Sequence, residues 1–70
     1  MSRRDTMQEE HWRVRVVDAT GRDTHGSGFK TQTAAENYYG TLAIAGSEKR
    51  LEVRRAGTQR YAVERREVMQ

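Results

Sequence analysis

The chain contains no cysteine and only two histidines, which removes the usual covalent and metal-based ways of stabilising a small protein. A sequence without cysteine forms no disulfide. His11 and His25 lie far apart, and no thiolate is present to complete a tetrahedral zinc site with them. The sequence therefore predicts neither a metal nor any other cofactor.

Long apolar runs are also missing. No stretch approaches the roughly 20 apolar residues of a membrane-spanning helix. Polar residues follow the basic start MSRR, where a signal peptide would have an apolar segment. These features predict a cytoplasmic protein without membrane contact.

Apolar residues of all kinds are scarce, at 34% of the 70 residues. A chain of this length folds as one domain with a thin core. Small domains are commonly stabilised by disulfides, by a metal or by oligomerisation. Because the sequence disfavours the first two, a homodimer is one expectation.

The segment HWRVRVV has the alternation of a strand. A period of two places Trp12, Val14 and Val16 on one face of the sheet. Arg13 and Arg15 then lie on the opposite face. The first strand is therefore expected to have one apolar and one basic face.

A turn and a second strand follow. Residues 18–23 are rich in turn-forming types. Residues 24–30 predict the second strand, whose main apolar residue is Phe29. Gly26 and Gly28 weaken this strand and indicate a bulge or a close approach of another chain segment.

Helical spacing then replaces the period of two. The pattern predicts a helix over residues 32–45, ended by Gly46 in the left-handed conformation. Thr33, in the form of a capping box, and Thr31 are alternative N-caps. Gly40 is expected to allow close packing of the helix on the sheet. The apolar positions of the helix are Ala35, Tyr38, Tyr39, Leu42 and Ala45.

Two more alternating segments follow the helix. Leu51 and Val53 alternate with charged residues in a third strand, and Tyr61 and Val63 do so in a fourth. Residues 56–58 predict the hairpin turn between them. The apolar faces of both hairpins are expected to lie under the helix.

This order of elements predicts an α+β fold with the order ββαββ. One helix packs on one face of a four-stranded antiparallel sheet. Residues 11–68 form the single domain, and residues 1–10 form a disordered tail. The charged end, residues 65–70, is expected to fray, although Val68 could extend the last strand.

No group of residues predicts catalysis. Ser27 and His25 share a face of the second strand, but no third group completes an acid–base site with them. Lys30 beside the start of the helix favours an anion such as a phosphate. The sequence therefore predicts a binding protein rather than an enzyme.

Basic residues are out of phase with the core in all four predicted strands. The chain has 11 Arg and only two Lys. Either a GC-rich genome or a functional need for planar guanidinium groups explains this excess of arginine. The face opposite the helix is the candidate nucleic-acid-binding site. Its candidate residues are Arg13, Arg15, Lys30, Arg50, Arg54 and Arg60.

Three interpretations of this basic face remain open. Glu52 and Glu64 are expected on the same face, where they would form a ladder of ion pairs worth about 0.2–1 kcal/mol each. The face is otherwise a platform for phosphates and base edges, or the interface of a dimer. Because Tyr38 and Tyr39 cannot both point inward, one of them is exposed, and Tyr39 is the candidate contact to a partner.

Part of the chain resembles a known DNA-binding domain. The strand WRVRV at 12–16, the segment GFKT at 28–31 and a helix with an early Ala-Ala are similar to the arm-type DNA-binding domain of tyrosine integrases. The similarity covers about residues 11–46. It implies a short sheet in the major groove, with Arg13, Arg15 and Lys30 facing DNA.

The chain also departs from that family. The family has three strands before its helix and nothing obvious after it, whereas here two strands precede the helix and two follow. The order is equally similar to that of small uncharacterised phage and bacterial proteins. We expect a small non-catalytic phage protein that binds nucleic acid, most readily DNA. The alternative is a protein–protein interaction module, either a homodimer or a phage protein that engages a host protein.

Overall fold

Four strands and one helix make up the fold, which was obtained as a computed structural model describing residues 9–70. The sheet is antiparallel with the strand order β2-β1-β3-β4. The predicted α+β fold with the order ββαββ is therefore confirmed. The elements are β1 (His11–Val17), β2 (Asp23–Phe29), α1 (Gln32–Thr41), β3 (Glu48–Arg54) and β4 (Ala62–Val68).

The prediction of a disordered tail falls mainly on residues 1–8, which lie outside the described residues. Glu10, the last residue of that predicted tail, accepts a hydrogen bond from the indole of Trp12 and pairs with Arg55. Among residues 9–70, no helix is both long and apolar enough to cross a membrane.

The core lies between α1 and the two central strands. Alternate residues of β1 and β3 point toward α1 and are almost fully buried, because the strands pair in register with Trp12 opposite Val53 and Val14 opposite Leu51. Burying each such side chain contributes about 1.5–3 kcal/mol before the entropy of ordering is subtracted. The core cluster consists of Trp12, Val14, Ala35, Tyr39, Leu51 and Val53.

The ends of α1 differ from the sequence prediction. Thr31 is the N-cap, because its side-chain oxygen accepts from the backbone N–H of Ala34 at 3.2 Å. The helix ends at Thr41, four residues before the predicted end at 45. Nζ of the buried Lys49 donates to the carbonyls of Tyr39 at 2.8 Å and Leu42 at 3.3 Å. Lys49 thus supplies a donor to the Leu42 carbonyl beyond the end of the helix and a second donor to the Tyr39 carbonyl, which also accepts from the N–H of Leu42.

Gly46 does not end the helix. It has φ of 85° within a turn in which the N–H of Ser47 donates to the carbonyl of Ile44 at 3.1 Å. The left-handed conformation is therefore needed by the turn that leads into β3.

The fourth strand is in a different phase from the one predicted. Arg65 lies opposite Leu51, and continuing that register would place Val63 opposite Val53, in the core. A bulge shifts the pairing by one residue, so Val63 lies opposite Glu52 and is 48% exposed. The prediction that Tyr61 and Val63 complete the core is wrong for this reason.

The end of the chain is ordered rather than frayed. β4 continues to Val68, and Met69 is buried. The N–H of Met69 donates to the carbonyl of Ser47 at 2.8 Å, and the N–H of Gly46 donates to the carbonyl of Met69 at 3.1 Å. These bonds hold the C-terminal end of β4 against the start of β3.

The helix covers only part of the sheet. Its backbone packs against β1, β2 and β3. It reaches β4 only through side chains, since Tyr39 contacts Glu67 and Glu36 pairs with Arg65. All seven residues of β4 are exposed. The sheet therefore extends beyond the backbone of the helix on this side, and the residues of its outer strand are exposed on both faces.

We predict that Gly40→Ala stabilises the protein. Gly40 is exposed on α1, and a Cβ added there would meet no atom within 4 Å, so the expected close packing on the sheet is absent. Alanine in a helix is favoured over glycine by about 0.5–1 kcal/mol. Urea denaturation should show this gain in the free energy of unfolding.

The matched control is Gly57→Ala in the turn between β3 and β4. Gly57 has φ of 84°, so a side chain should destabilise the protein by about 1 kcal/mol. A lower stability of Gly40→Ala than of the wild type would contradict the prediction.

Candidate nucleic-acid interface

The face of the sheet turned away from α1, called the open face below, carries most of the predicted basic residues. In β1 and β3, Arg13 lies opposite Glu52 and Arg15 lies opposite Arg50. Arg50 in turn lies opposite Arg66 of β4. The charged residues of the open face are Arg13, Arg15, Asp23, Glu48, Arg50, Glu52, Arg54 and Arg66.

A nearly buried carboxylate organises the centre of the open face. The side chain of Glu52 is 4% exposed, and it accepts from Nε of Arg13 and, at 3.2 Å, from a terminal nitrogen of Arg15. Arg15 also donates to both oxygens of Asp23, at 2.9 and 3.0 Å. The hydrogen bond to Asp23 is the main reason that the pKa of Arg15 is raised. These four residues, the Glu52 network, carry two positive and two negative charges.

Arg13 is held from a second side by an aromatic ring. Its guanidinium carbon lies 3.8 Å from the centre of the Tyr61 ring, a cation–π contact. The Tyr61 hydroxyl is 2.8 Å from Nδ1 of His11. Among residues 9–70, no group accepts a hydrogen bond from the two terminal nitrogens of Arg13. The guanidinium is therefore fixed in orientation while most of its donors remain available.

A groove opens beside this guanidinium. It has a volume of about 620 Å³ and is shallow and open to solvent. Gly26 lies opposite Arg15 and Gly28 lies opposite Arg13, so β2 has no side chain on this face at either position. A Cβ at Gly28 would lie 3.0 Å from the His11 ring, whereas a Cβ at Gly26 would meet nothing within 4 Å. The groove is lined by His11, Arg13, Arg15, Gly26, Gly28 and Tyr61, among others.

The other predicted binding residues are placed differently. Arg50 lies on the open face and pairs with Glu48 at 2.7 Å. Arg54 lies opposite His11 on the same face and donates to the carbonyl of Glu9 at 3.4 Å. Lys30 and Arg60 are exposed, but they lie in the connections that follow β2 and β3. The sheet thus brings together four of the six predicted residues, and the remaining two lie in loops.

Arg66 is a basic residue of the open face that sequence reasoning missed. The predicted fourth strand ended too early to include it. Within the described part of the chain it forms no ion pair, and it lies beside Arg50. Its signal in the sequence was Val68, whose alternation with Arg66 continues the strand. Glu64, by contrast, lies at the bulge and pairs with Arg55 at 2.7 Å.

Tyr39 is a core residue and not an exposed one. It is 2% exposed, and its hydroxyl contacts a carboxylate oxygen of Glu67 at 3.3 Å. Burial, with the nearby Glu67 charge, raises the pKa of Tyr39 to about 12. Tyr38 is the half-buried member of the pair, and the centre of its ring lies 5.5 Å from the centre of the Phe29 ring. The prediction that Tyr39 is the exposed tyrosine available to a partner is therefore wrong.

We predict that Glu52→Gln destabilises the protein by about 1–3 kcal/mol. Glutamine removes the charge between Arg13 and Arg15. Its amide nitrogen is itself a donor, so it cannot accept a hydrogen bond from a guanidinium. Urea denaturation followed by Trp12 fluorescence measures the loss. The matched control is Glu48→Gln, which breaks a more exposed pair and should cost less than about 1 kcal/mol. Equal losses in the free energy of unfolding for the two variants would show that the burial of Glu52 between two arginines adds no stability.

Comparison of the chain with protein-family models, with curated proteins and with solved structures found no match. The similarity to the integrase arm-type domain stays a prediction.

Proposed function

We propose that this protein binds nucleic acid, with DNA as the first candidate, through the open face of its sheet. The observation that carries the proposal is the position of Arg13. Glu52 and Tyr61 fix its guanidinium beside the groove, and no described residue uses its terminal N–H groups. A guanidinium that is already oriented loses little side-chain entropy when it binds a phosphate.

The charge of the open face also favours an anionic partner. Five arginines lie on it with three carboxylates, Asp23, Glu48 and Glu52. The Glu52 network is neutral as a whole, so the excess comes from the β3 and β4 side of the face. A surface of this kind attracts nucleic acid modestly and loses affinity steeply as salt rises, because each phosphate contact releases counterions.

The shape of the face suits a backbone-binding role. The helix lies on the other side of the sheet, so the open face is occupied by its own charged side chains and by the ring of Tyr61, which lies against Arg13. Sheets are known to bind DNA in either groove. The similarity of residues 11–46 to an integrase arm-type domain points the same way and motivates the further proposal of a phage origin.

We predict that Arg66→Gln weakens binding to a fluorescently labelled duplex and lowers the salt slope, the slope of log affinity against log salt, by about 1. Arg66 is on the open face without an ion-pair partner among the described residues, so its loss should remove a phosphate contact. Fluorescence anisotropy between about 50 and 200 mM salt measures both quantities.

The neighbouring arginine provides the control. Arg65 lies opposite Leu51, on the side of the sheet that faces α1, and pairs with Glu36. Arg65→Gln changes the net charge equally and should leave the salt slope unchanged. Absence of binding by the wild type at the lowest salt would refute the proposed function, and equal effects of the two variants would refute the assignment to the open face.

A second candidate function, self-association, is favoured by β4. This strand forms one edge of the sheet and is exposed on both faces. Unpaired strand edges associate readily with other strands. In an antiparallel pair of two copies centred on Arg66, Arg65 of each copy would lie opposite Glu67 of the other. Two ion pairs would then flank one contact between arginines.

We predict that Glu67→Arg dissociates such a dimer, because it places arginine opposite arginine on both sides of the two-fold axis. Adding Arg65→Glu to the same chain should restore the dimer by exchanging the charges. Sedimentation equilibrium at micromolar concentration gives the mass of each species. A monomeric wild type would rule out this candidate and leave the nucleic-acid proposal untouched.

A further inference from the structure

The groove beside Arg13 has a feature that general attraction to nucleic acid does not explain. The groove lies on the β1 and β2 side of the open face, away from the β3 and β4 side where positive charge is in excess. Its unused hydrogen-bond donors nevertheless favour an anionic ligand. We propose that the groove is the binding site for one phosphate group of a bound nucleic-acid strand, with Arg13 and His11 as hydrogen-bond donors. This inference rests on the proposed function and names the place where the backbone is held.

Arg13 supplies the first set of donors. Its Nε is engaged by Glu52 and its ring-facing side by Tyr61, so the terminal nitrogens are the groups left at the groove. Two parallel N–H groups of one guanidinium match two oxygens of a phosphate. The Glu52 network holds this fork in place before the ligand arrives.

His11 supplies the second donor. When the Tyr61 hydroxyl donates to Nδ1, the proton of the neutral ring resides on Nε2. The His11 ring packs directly over Gly28, where its Nε2 lies 3.6 Å from the position that a Cβ would take. Among residues 9–70, no group accepts from Nε2, so it is available to a phosphate oxygen.

The groove offers little to a cation. Asp23 is the one carboxylate among its lining residues, and both oxygens of Asp23 accept from Arg15. The lining thus combines the unused donors of Arg13 with a carboxylate that Arg15 already engages. That combination selects an anion.

The size of the groove favours a phosphodiester with its flanking sugars over a bare ion. At about 620 Å³ the groove exceeds the space that one phosphate ion fills, and its open side leaves room for the flanking sugars. Gly26 leaves the backbone of β2 uncovered, so a nucleic-acid strand can pass close to it. Because β2 is an edge strand, the nucleic acid can leave the groove over that edge.

Gly26→Leu tests the inference. A Cβ at Gly26 meets no atom within 4 Å and the residue does not have a positive φ, so leucine should fill the groove while the fold is kept. Anisotropy titration of a labelled oligonucleotide should show affinity lower by on the order of tenfold and a salt slope smaller by about 1. Gly40→Leu, an equally uncrowded site on α1, is the control and should bind as the wild type does.

The possible outcomes separate the two proposals. A wild type that does not bind the oligonucleotide overturns the proposed function. A wild type that binds, together with Gly26→Leu that binds equally with the same slope, overturns the groove alone. Adenosine monophosphate offers the same phosphate from a free nucleotide; if it binds wild type but not Gly26→Leu while the oligonucleotide does not bind, the groove takes free nucleotides and the nucleic-acid assignment is wrong.

Discussion

The carboxylate of Glu52 fixes the centre of the open face, because it is buried between the guanidinium groups of Arg13 and Arg15. A buried charge is tolerated only where opposite charges and hydrogen bonds surround it. The same contact ties β1 to β3 across the register that also forms the core on the other face. The open face and the core therefore depend on one alignment of two strands. A change in that alignment would disturb both.

Stability is distributed unevenly over the molecule. The helix covers β1, β2 and β3, and the side chains that it buries provide most of the apolar contact. β4 is held by its pairing with β3, by Met69 at one end and by Glu64 and Arg55 at the other. Its contacts with α1 are limited to the side chains of Arg65 and Glu67. Strands with few buried contacts open at low free-energy cost. The outer strand is thus the part of the described fold best suited to exchange partners.

The sequence was sufficient for β1 and β3, since Trp12 and Val14 alternate with arginine over a whole strand and burial enforces that alternation. It was insufficient for β4, because a one-residue bulge turns Val63 from the core to the open face, and no residue type in the sequence predicts that bulge. The same holds for the site. The phase of Arg13 and the position of Glu52 on the same face were predictable, with an ion-pair ladder as one interpretation. Which arginines Glu52 pairs with was not predictable, since that depends on cross-strand register. Arg66 was missed with the strand that carries it.

The two lysines differ in chemical reactivity as a result of the fold. Lys49 is buried with its amine bonded to two carbonyl oxygens, whereas Lys30 is exposed. An amine-reactive reagent will therefore modify Lys30 in the folded protein and reach Lys49 only when the end of α1 separates from β3. The ratio of label at the two positions measures how often that separation occurs. The contact between Lys49 and the end of α1 thus also allows local opening of the fold to be followed by labelling, without any introduced probe.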